Sequence, residues 1–138
     1  MNAPEVISEI LKSVAEKAKP GVNLLELEHL AESTMQVMGA QSANKGYQPK
    51  WAKTPFPSVI CLGVNDVIAH PIPVSYELQD GDLLHIDCGI MIDGMCGDAG
   101  LTIPIGTIEN KDERLLKYAK RALYQGISVV RPGIKVTL

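Results

Sequence analysis

One short segment, residues 85–98 (HIDCGIMIDGMCGD), constrains the fold of this chain more than any other. Within it, Asp93-Gly94 lies between two runs of β-prone residues. This arrangement predicts a β-hairpin, because a two-residue primed turn requires positive φ at both central positions, and Asp-Gly is well suited to it. With this pair as the loop, the opposing residues are Ile92–Met95, Ile90–Gly97, Gly89–Asp98 and Asp87–Gly100.

Strand alternation sorts the side chains of this hairpin onto two faces. The first face is wholly apolar or small, as a core face should be, and comprises Leu84, Ile86, Cys88, Ile90, Ile92, Met95, Gly97, Ala99, Leu101 and Ile103. The second face comprises His85, Asp87, Gly89, Met91, Cys96, Asp98, Gly100 and Thr102. Asp87 and Asp98 are therefore diagonal neighbours on one face, with Cβ atoms roughly 7–8 Å or somewhat less apart.

Two carboxylates this close repel each other unless a cation, a proton or solvent relieves the repulsion. Gly89 and Gly100 oppose the two acids and leave open space in which a divalent ion would fit. Oxygen ligands of this kind suit Mn, Mg, Fe(II) or Co, and an added imidazole extends the range to Zn. The alternative is that the second face of the hairpin is simply wetted by solvent and carries acids for that reason. The residues alone leave both interpretations open.

Apolar residues at helical spacing predict three helices around this hairpin. The first contains Val6 and runs to Ala18, where Lys19-Pro20-Gly21 ends it. The second begins after Asn23 and ends at Gly39. The third begins near Asn110 and ends at residues 131–133 (RPG). The hairpin therefore lies between the second and the third predicted helix.

The segment between the second helix and the hairpin has weaker signals. Residues 40–57 show no periodicity and predict a long loop, a length that is uncommon unless the loop lines a site or is mobile. Its aromatic side chains, Tyr47, Trp51 and Phe56, are expected either to anchor the loop on the core or to line a ligand pocket. Residues 58–64 and 67–70 predict two short strands joined by a turn at Asn65-Asp66.

Composition narrows the class of protein. At 138 residues and 46% hydrophobic content, we expect residues 1–138 to form a single domain. A net charge of −3 without a basic cluster argues against nucleic acid as a partner. The sequence has no apolar window of the ~18 residues that a membrane span requires, and no secretory signal. Cys61, Cys88 and Cys96 lack metal-knuckle spacing, which favours reduced thiols in a soluble, cytoplasmic protein.

Four segments together resemble the bacterial type I methionine aminopeptidases, which share the pita-bread fold with creatinase and prolidase. They are residues 19–22 (KPGV), 58–70 (SVICLGVNDVIAH), 79–87 (QDGDLLHID) and 93–98 (DGMCGD). Their order and spacing match the family, and the resemblance extends over nearly the whole chain. It implies an α+β fold, with an antiparallel sheet and helices packed on one face, that forms the N-terminal half of a pita-bread domain, so that residues 1–138 are a partial domain.

The resemblance also implies an activity and roles for individual residues. The family removes the N-terminal methionine of nascent polypeptides with two divalent metal ions, for which Co, Mn, Fe or Zn is expected. Asp87 corresponds to a bidentate ligand of one metal, and Asp98 to the ligand that bridges both. His70 corresponds to the catalytic histidine that hydrogen-bonds the substrate's peptide group. Cys61 and Phe56 correspond to the wall of the methionine pocket. The expected partner is thus a peptide N-terminus beginning with Met.

Some features depart from the family. Pro71 follows His70 where the family has Gly, and Pro fixes φ and lacks an N–H. The family's remaining metal ligands, one His and two Glu, belong to a C-terminal half that this chain does not contain. We therefore expect a truncated chain that is inactive alone and self-associates through the face exposed by the missing half. The placement of Thr137, where a further helix cap could begin, agrees with truncation.

Two other functions remain open at this stage. The first is a non-catalytic peptide- or protein-binding module of the same fold, since proteins of this fold are known that have lost their metals. The second is a prolidase-like peptidase, suggested by Asp87-Cys88-Gly89, because Asp-x-Gly is common in that branch. The context of Asp98 and of residues 64–66 (VND) favours the methionine branch.

Overall fold

The computed structural model describes residues 2–135, so the position of Thr137 lies outside the described residues. The helices are α1 (Ala3–Lys17), α2 (Leu24–Val37) and α3 (Asn110–Ser128). The strands are β1 (Gln41–Ser42), β2 (Cys61–Val64), β3 (Leu83–Ile92) and β4 (Met95–Pro104). The chain divides into two compact units, Met1–Thr107 and Ile108–Leu138. The expectation of one partial domain over residues 1–138 stays a prediction.

Helix α1 covers the sheet of the first unit. It begins at a capping box, in which the Asn2 side chain accepts a hydrogen bond from the N–H of Glu5 and the Glu5 carboxylate accepts one from the N–H of Asn2. Its apolar stripe, with Val6, Ile10 and Val14 fully buried, packs on β3 and β4. The helix therefore covers one face of the sheet and leaves the other available for a site.

The sheet is antiparallel and centred on β3, with β1 and β2 along one edge of that strand and β4 along the other. The predicted hairpin register is confirmed pair by pair from Ile92–Met95 to Asp87–Gly100. Asp93 and Gly94 have φ values of 49° and 75°, as the primed turn requires. The core residues of β3 are fully buried, and they are Leu84, Ile86, Cys88 and Ile90. The predicted α+β class with an antiparallel sheet and helices is confirmed.

Two local predictions were wrong. The segment predicted as an unbroken loop contains β1, whose Gln41 and Ser42 pair with β3. Residues 67–70 do not form a second strand, because the chain turns at Asn65-Asp66 and the N–H of Val67 bonds back to the carbonyl of Val64. Ala69 and His70 then adopt φ values of 53° and 50°, which are incompatible with an extended strand.

The second unit contains α3. This helix spans nineteen residues and has no buried side chain, although its sequence is amphipathic. Large apolar side chains are exposed along it, namely Leu115, Tyr118, Leu123, Tyr124 and Ile127. None of the helices within residues 2–135 is long and apolar enough to cross a membrane.

Candidate functional site

The face of the sheet opposite α1 carries the two aspartates. Asp87 on β3 lies across from Gly100, and Asp98 on β4 lies across from Gly89. Each carboxylate extends toward the opposing glycine: a Cβ built on Gly89 would lie 3.1 Å from Asp98 Oδ2, and one on Gly100 would lie 3.5 Å from Asp87 Oδ1. The two glycines therefore provide the space that the carboxylates use. Two carboxylate oxygen donors that face opposing glycines are a donor set that fits hard divalent cations.

Strand β2 adds a thiol to the same face. Cys61 is the register partner of Asp87, so their side chains point to the same side of the sheet. The Cys61 Sγ, a ring nitrogen of His70 and a carboxylate oxygen of Asp87 all lie within 4.8 Å of one another. Cys61 is buried, Asp87 half-buried and His70 exposed. Asp98 does not belong to this group, so the structure brings together three of the predicted site residues and leaves Asp98 apart.

The electrostatic setting of the thiols follows from their burial. Burial raises the pKa of Cys61 to about 11, with the negative charges of Asp87 and Asp98 adding to the effect. Cys88, on the core face, has its pKa raised to about 12, again chiefly by burial. Both thiols are therefore protonated at neutral pH in the absence of a cation. All three cysteines are free, as the sequence predicted.

A pocket with a cavity volume of about 440 Å³ adjoins this face. Its lining includes all three residues expected to contact substrate, Phe56, Cys61 and His70. The full lining is Ala43, Asn44, Tyr47, Pro49, Trp51, Ala52, Phe56, Cys61 and His70. Tyr47 and Trp51 are 64% and 86% exposed, so they border the pocket and do not anchor the loop in the core.

Asn44 links the pocket to the sheet and was not singled out from the sequence. Its Nδ2 donates a hydrogen bond to the Cys61 Sγ at 3.8 Å. Its Oδ1 would lie 2.9 Å from a Cβ on Gly89, so the residue also fills the space above that glycine. Since this contact joins residues far apart in the chain, no sequence periodicity could have indicated it.

Gly63 fixes the path of the loop that carries His70. A Cβ on Gly63 would lie 2.7 Å from the carbonyl oxygen of Val67 and 3.1 Å from Pro71 Cγ. The backbone of residues 65–71 therefore folds closely over β2, and the ring of Pro71 packs above Gly63. Pro71, which stands where a Gly was expected, therefore contributes a contact that holds the loop.

Replacing Gly63 with Ala is expected to lower the free energy of unfolding by about 1–3 kcal/mol, because the methyl group collides with backbone that cannot rotate away. The same change should displace His70, which urea denaturation and the NMR shifts of the His70 ring would measure together. Gly126→Ala is the matched control: its Cβ meets open space on α3, and it should be neutral or stabilising. An unchanged stability and an unmoved His70 in Gly63→Ala would contradict this account.

A buried carboxylate anchors the start of the same loop. Asp82 is 6% exposed and accepts hydrogen bonds from Asn65 Nδ2, the Tyr76 hydroxyl and the N–H of Gln79, each at 2.9 Å. Asn65 Oδ1 in turn accepts from the N–H of Leu83 at 2.9 Å. The hydrogen bond to Asp82 raises the pKa of Tyr76. Asp82 therefore ties the turn after β2 to the beginning of β3, a role that its position in the sequence did not reveal.

Comparison with known proteins places these features in a family. The model of metallopeptidase family M24 matches residues 1–137. A methionine aminopeptidase of Helicobacter pylori strain J99 is 39% identical over 132 residues, which cover 96% of this chain and 50% of the relative. The chain thus spans about half the length of the curated relatives it matches.

Solved structures of methionine aminopeptidases share the fold of this chain. The crystal structure of methionine aminopeptidase from Rickettsia prowazekii superposes with a TM-score of 0.87 at 32% identity, covering 94% of this chain and 50% of that one. The methionine aminopeptidase of Thermotoga maritima superposes with a TM-score of 0.88 at 24% identity, over 96% of this chain and 51% of that one, and this likeness concerns the fold alone.

Proposed function

This chain belongs to metallopeptidase family M24, and from that premise we propose that it supplies one half of the active site of a methionine aminopeptidase. The reaction is hydrolysis of the first peptide bond of a polypeptide whose N-terminal residue is methionine. The proposed substrate is the N-terminus of a nascent polypeptide, and the proposed location is accordingly the cytoplasm. Because the chain spans about half of its curated relatives, activity belongs to a protein in which the second half is also present.

The observation that carries this proposal is the pair Asp87 and Asp98 above Gly100 and Gly89, on a face that borders the pocket. We assign to this pair one side of a centre for two divalent ions, Co, Mn, Fe or Zn, whose other ligands come from the second half. Such ions, when bound, activate a water molecule and polarise the scissile carbonyl. An all-carboxylate donor pair on this side favours the harder ions of that list.

The residues that line the pocket are proposed to bind the substrate. We assign to Cys61 and Phe56 the wall that receives the methionine side chain, since a thioether packs well against a soft, apolar surface. The exposed imidazole of His70 borders the same pocket. From there it can donate a hydrogen bond to the peptide group that follows the methionine. Tyr47 and Trp51 extend the apolar lining outward, where the next residues of the substrate would pass.

The test uses the protein encoded by the complete reading frame, loaded with Mn²⁺ or Co²⁺. It should release methionine from a Met-Ala-Ser peptide, should lose that activity in EDTA, and should regain it when the metal is restored. A Leu-Ala-Ser peptide is the control for the specificity of the pocket.

Two outcomes would overturn the proposal. Binding of the methionine peptide without hydrolysis, in the metal-loaded protein, would favour the non-catalytic binding module. Cleavage of Xaa-Pro dipeptides in preference to the methionine peptide would favour the prolidase-like alternative. We place methionine ahead of the latter because the relatives at 39% and 32% identity are both methionine aminopeptidases.

A further inference from the structure

We propose that Cys61, His70 and Asp87 together form a site for a single thiophilic divalent cation such as Zn²⁺, Co²⁺ or Cd²⁺. This site shares Asp87 with the proposed peptidase centre, but its other two ligands are the sulfur of Cys61 and a nitrogen of His70, and it does not include Asp98. It is built entirely from residues of this chain. The inference goes beyond the proposed function because it gives these three residues a ligand role of their own, and it is tested without peptidase activity.

The geometry of the three groups supports a mononuclear site. Their ligand atoms lie within 4.8 Å of one another. Around tetrahedral Zn²⁺, with bonds of roughly 2.0–2.3 Å, ligand atoms are separated by roughly 3.3–3.8 Å. A contraction of at most about 1–1.5 Å, within the reach of side-chain rotation, would thus complete the first three positions. The fourth would remain open to water.

Two of the three ligands lie on strands, and the third lies on an exposed loop. Cys61 and Asp87 are held in register on neighbouring strands, which fixes the separation of their Cα atoms. His70 is exposed and lies on the loop packed over Gly63. A cation can therefore reach the site from the solvent side, where the imidazole closes over it.

Asn44 supplies a hydrogen-bond donor next to the sulfur. Its Nδ2 donates a hydrogen bond to the Cys61 Sγ at 3.8 Å. A donor of this kind stabilises negative charge on sulfur and orients the lone pairs that remain for a metal. On binding, the Cys61 thiol releases its proton to solvent and the sulfur forms the bond to the cation.

The test is titration of the metal-free 138-residue chain with Co²⁺, followed by absorption spectroscopy. A thiolate-to-cobalt charge-transfer band in the near ultraviolet, together with the visible bands of tetrahedral Co²⁺, is expected. Cys61→Ser should abolish the charge-transfer band, and His70→Ala should weaken Co²⁺ binding by about tenfold or more. Cys96→Ser, which changes an exposed thiol, should retain the band. Asp98→Asn should retain it as well, which separates this site from the peptidase centre.

Cadmium NMR of the unmodified chain gives a readout that does not depend on how the variants fold. A chemical shift typical of one sulfur ligand with nitrogen and oxygen would support the site. A shift typical of oxygen ligands alone would overturn it. Persistence of the cobalt charge-transfer band in folded Cys61→Ser, or its absence from the unmodified chain, would also overturn it, whatever the outcome of the peptidase assay.

Discussion

Replacing Asp98 with Asn, in the protein encoded by the complete reading frame, is expected to lower kcat/KM for methionine release by about a thousandfold, equivalent to about 4 kcal/mol. The amide removes one negative charge from the pair that converges above the two glycines, and its nitrogen is a donor where an oxygen acceptor is needed. The loss should appear mainly in kcat and should be accompanied by a lower metal content, measured by elemental analysis.

The same hairpin contains a matched control. Asp93→Asn makes the identical chemical change in the exposed turn, where Asn tolerates positive φ as readily as Asp. It should leave kcat/KM, metal content and stability close to those of the unmodified protein. Retention of more than about a tenth of the activity in Asp98→Asn would show that this carboxylate is not a metal ligand, since direct ligands cost more than that to remove.

The second large effect concerns stability. Replacing Asp82 with Ala is expected to lower the free energy of unfolding by about 3 kcal/mol, because hydrogen bonds to a buried charged group contribute more than neutral ones and their donors would be left unpaired. The donors affected belong to Asn65, Tyr76 and Gln79. Urea unfolding of the 138-residue chain, followed by circular dichroism, measures the change.

Two further variants sharpen the interpretation. Asp66→Ala removes an exposed aspartate from the same turn and should change stability by less than about 0.5 kcal/mol. Asp82→Asn keeps the shape of the side chain but presents an N–H to groups that are themselves donors, so it should recover only part of the loss. Equal stabilities for Asp82→Ala and Asp66→Ala would refute the anchoring role of Asp82.

The hairpin was predictable from the sequence because its information is local. An Asp-Gly turn fixes the register, and the register fixes which face each side chain occupies. The placement of Asp87 and Asp98 on one side, above Gly100 and Gly89, therefore followed from the order of the residues and is what the structure shows.

The path of the chain between β2 and β3 was not predictable in the same way. Val67 and Ile68 are β-prone, which favoured a strand, but contacts with distant residues decided the conformation. The buried Asp82 fixes Asn65, and Gly63 lets the backbone of Val67 approach closely. Such long-range contacts override local propensity. For the same reason the sequence did not indicate that Asn44 bonds to Cys61 or that β1 pairs with β3.

The two-residue turn at Asp93-Gly94 also determines what kinds of genetic change this protein can tolerate. Substitutions in the turn that keep positive φ preserve the register. An insertion or deletion of one residue has a different outcome, since it would rotate every side chain of β4 by half a period and turn Asp98 toward the hydrophobic core. Substitutions at the tip of the hairpin are therefore compatible with function, whereas changes in the length of the turn are not.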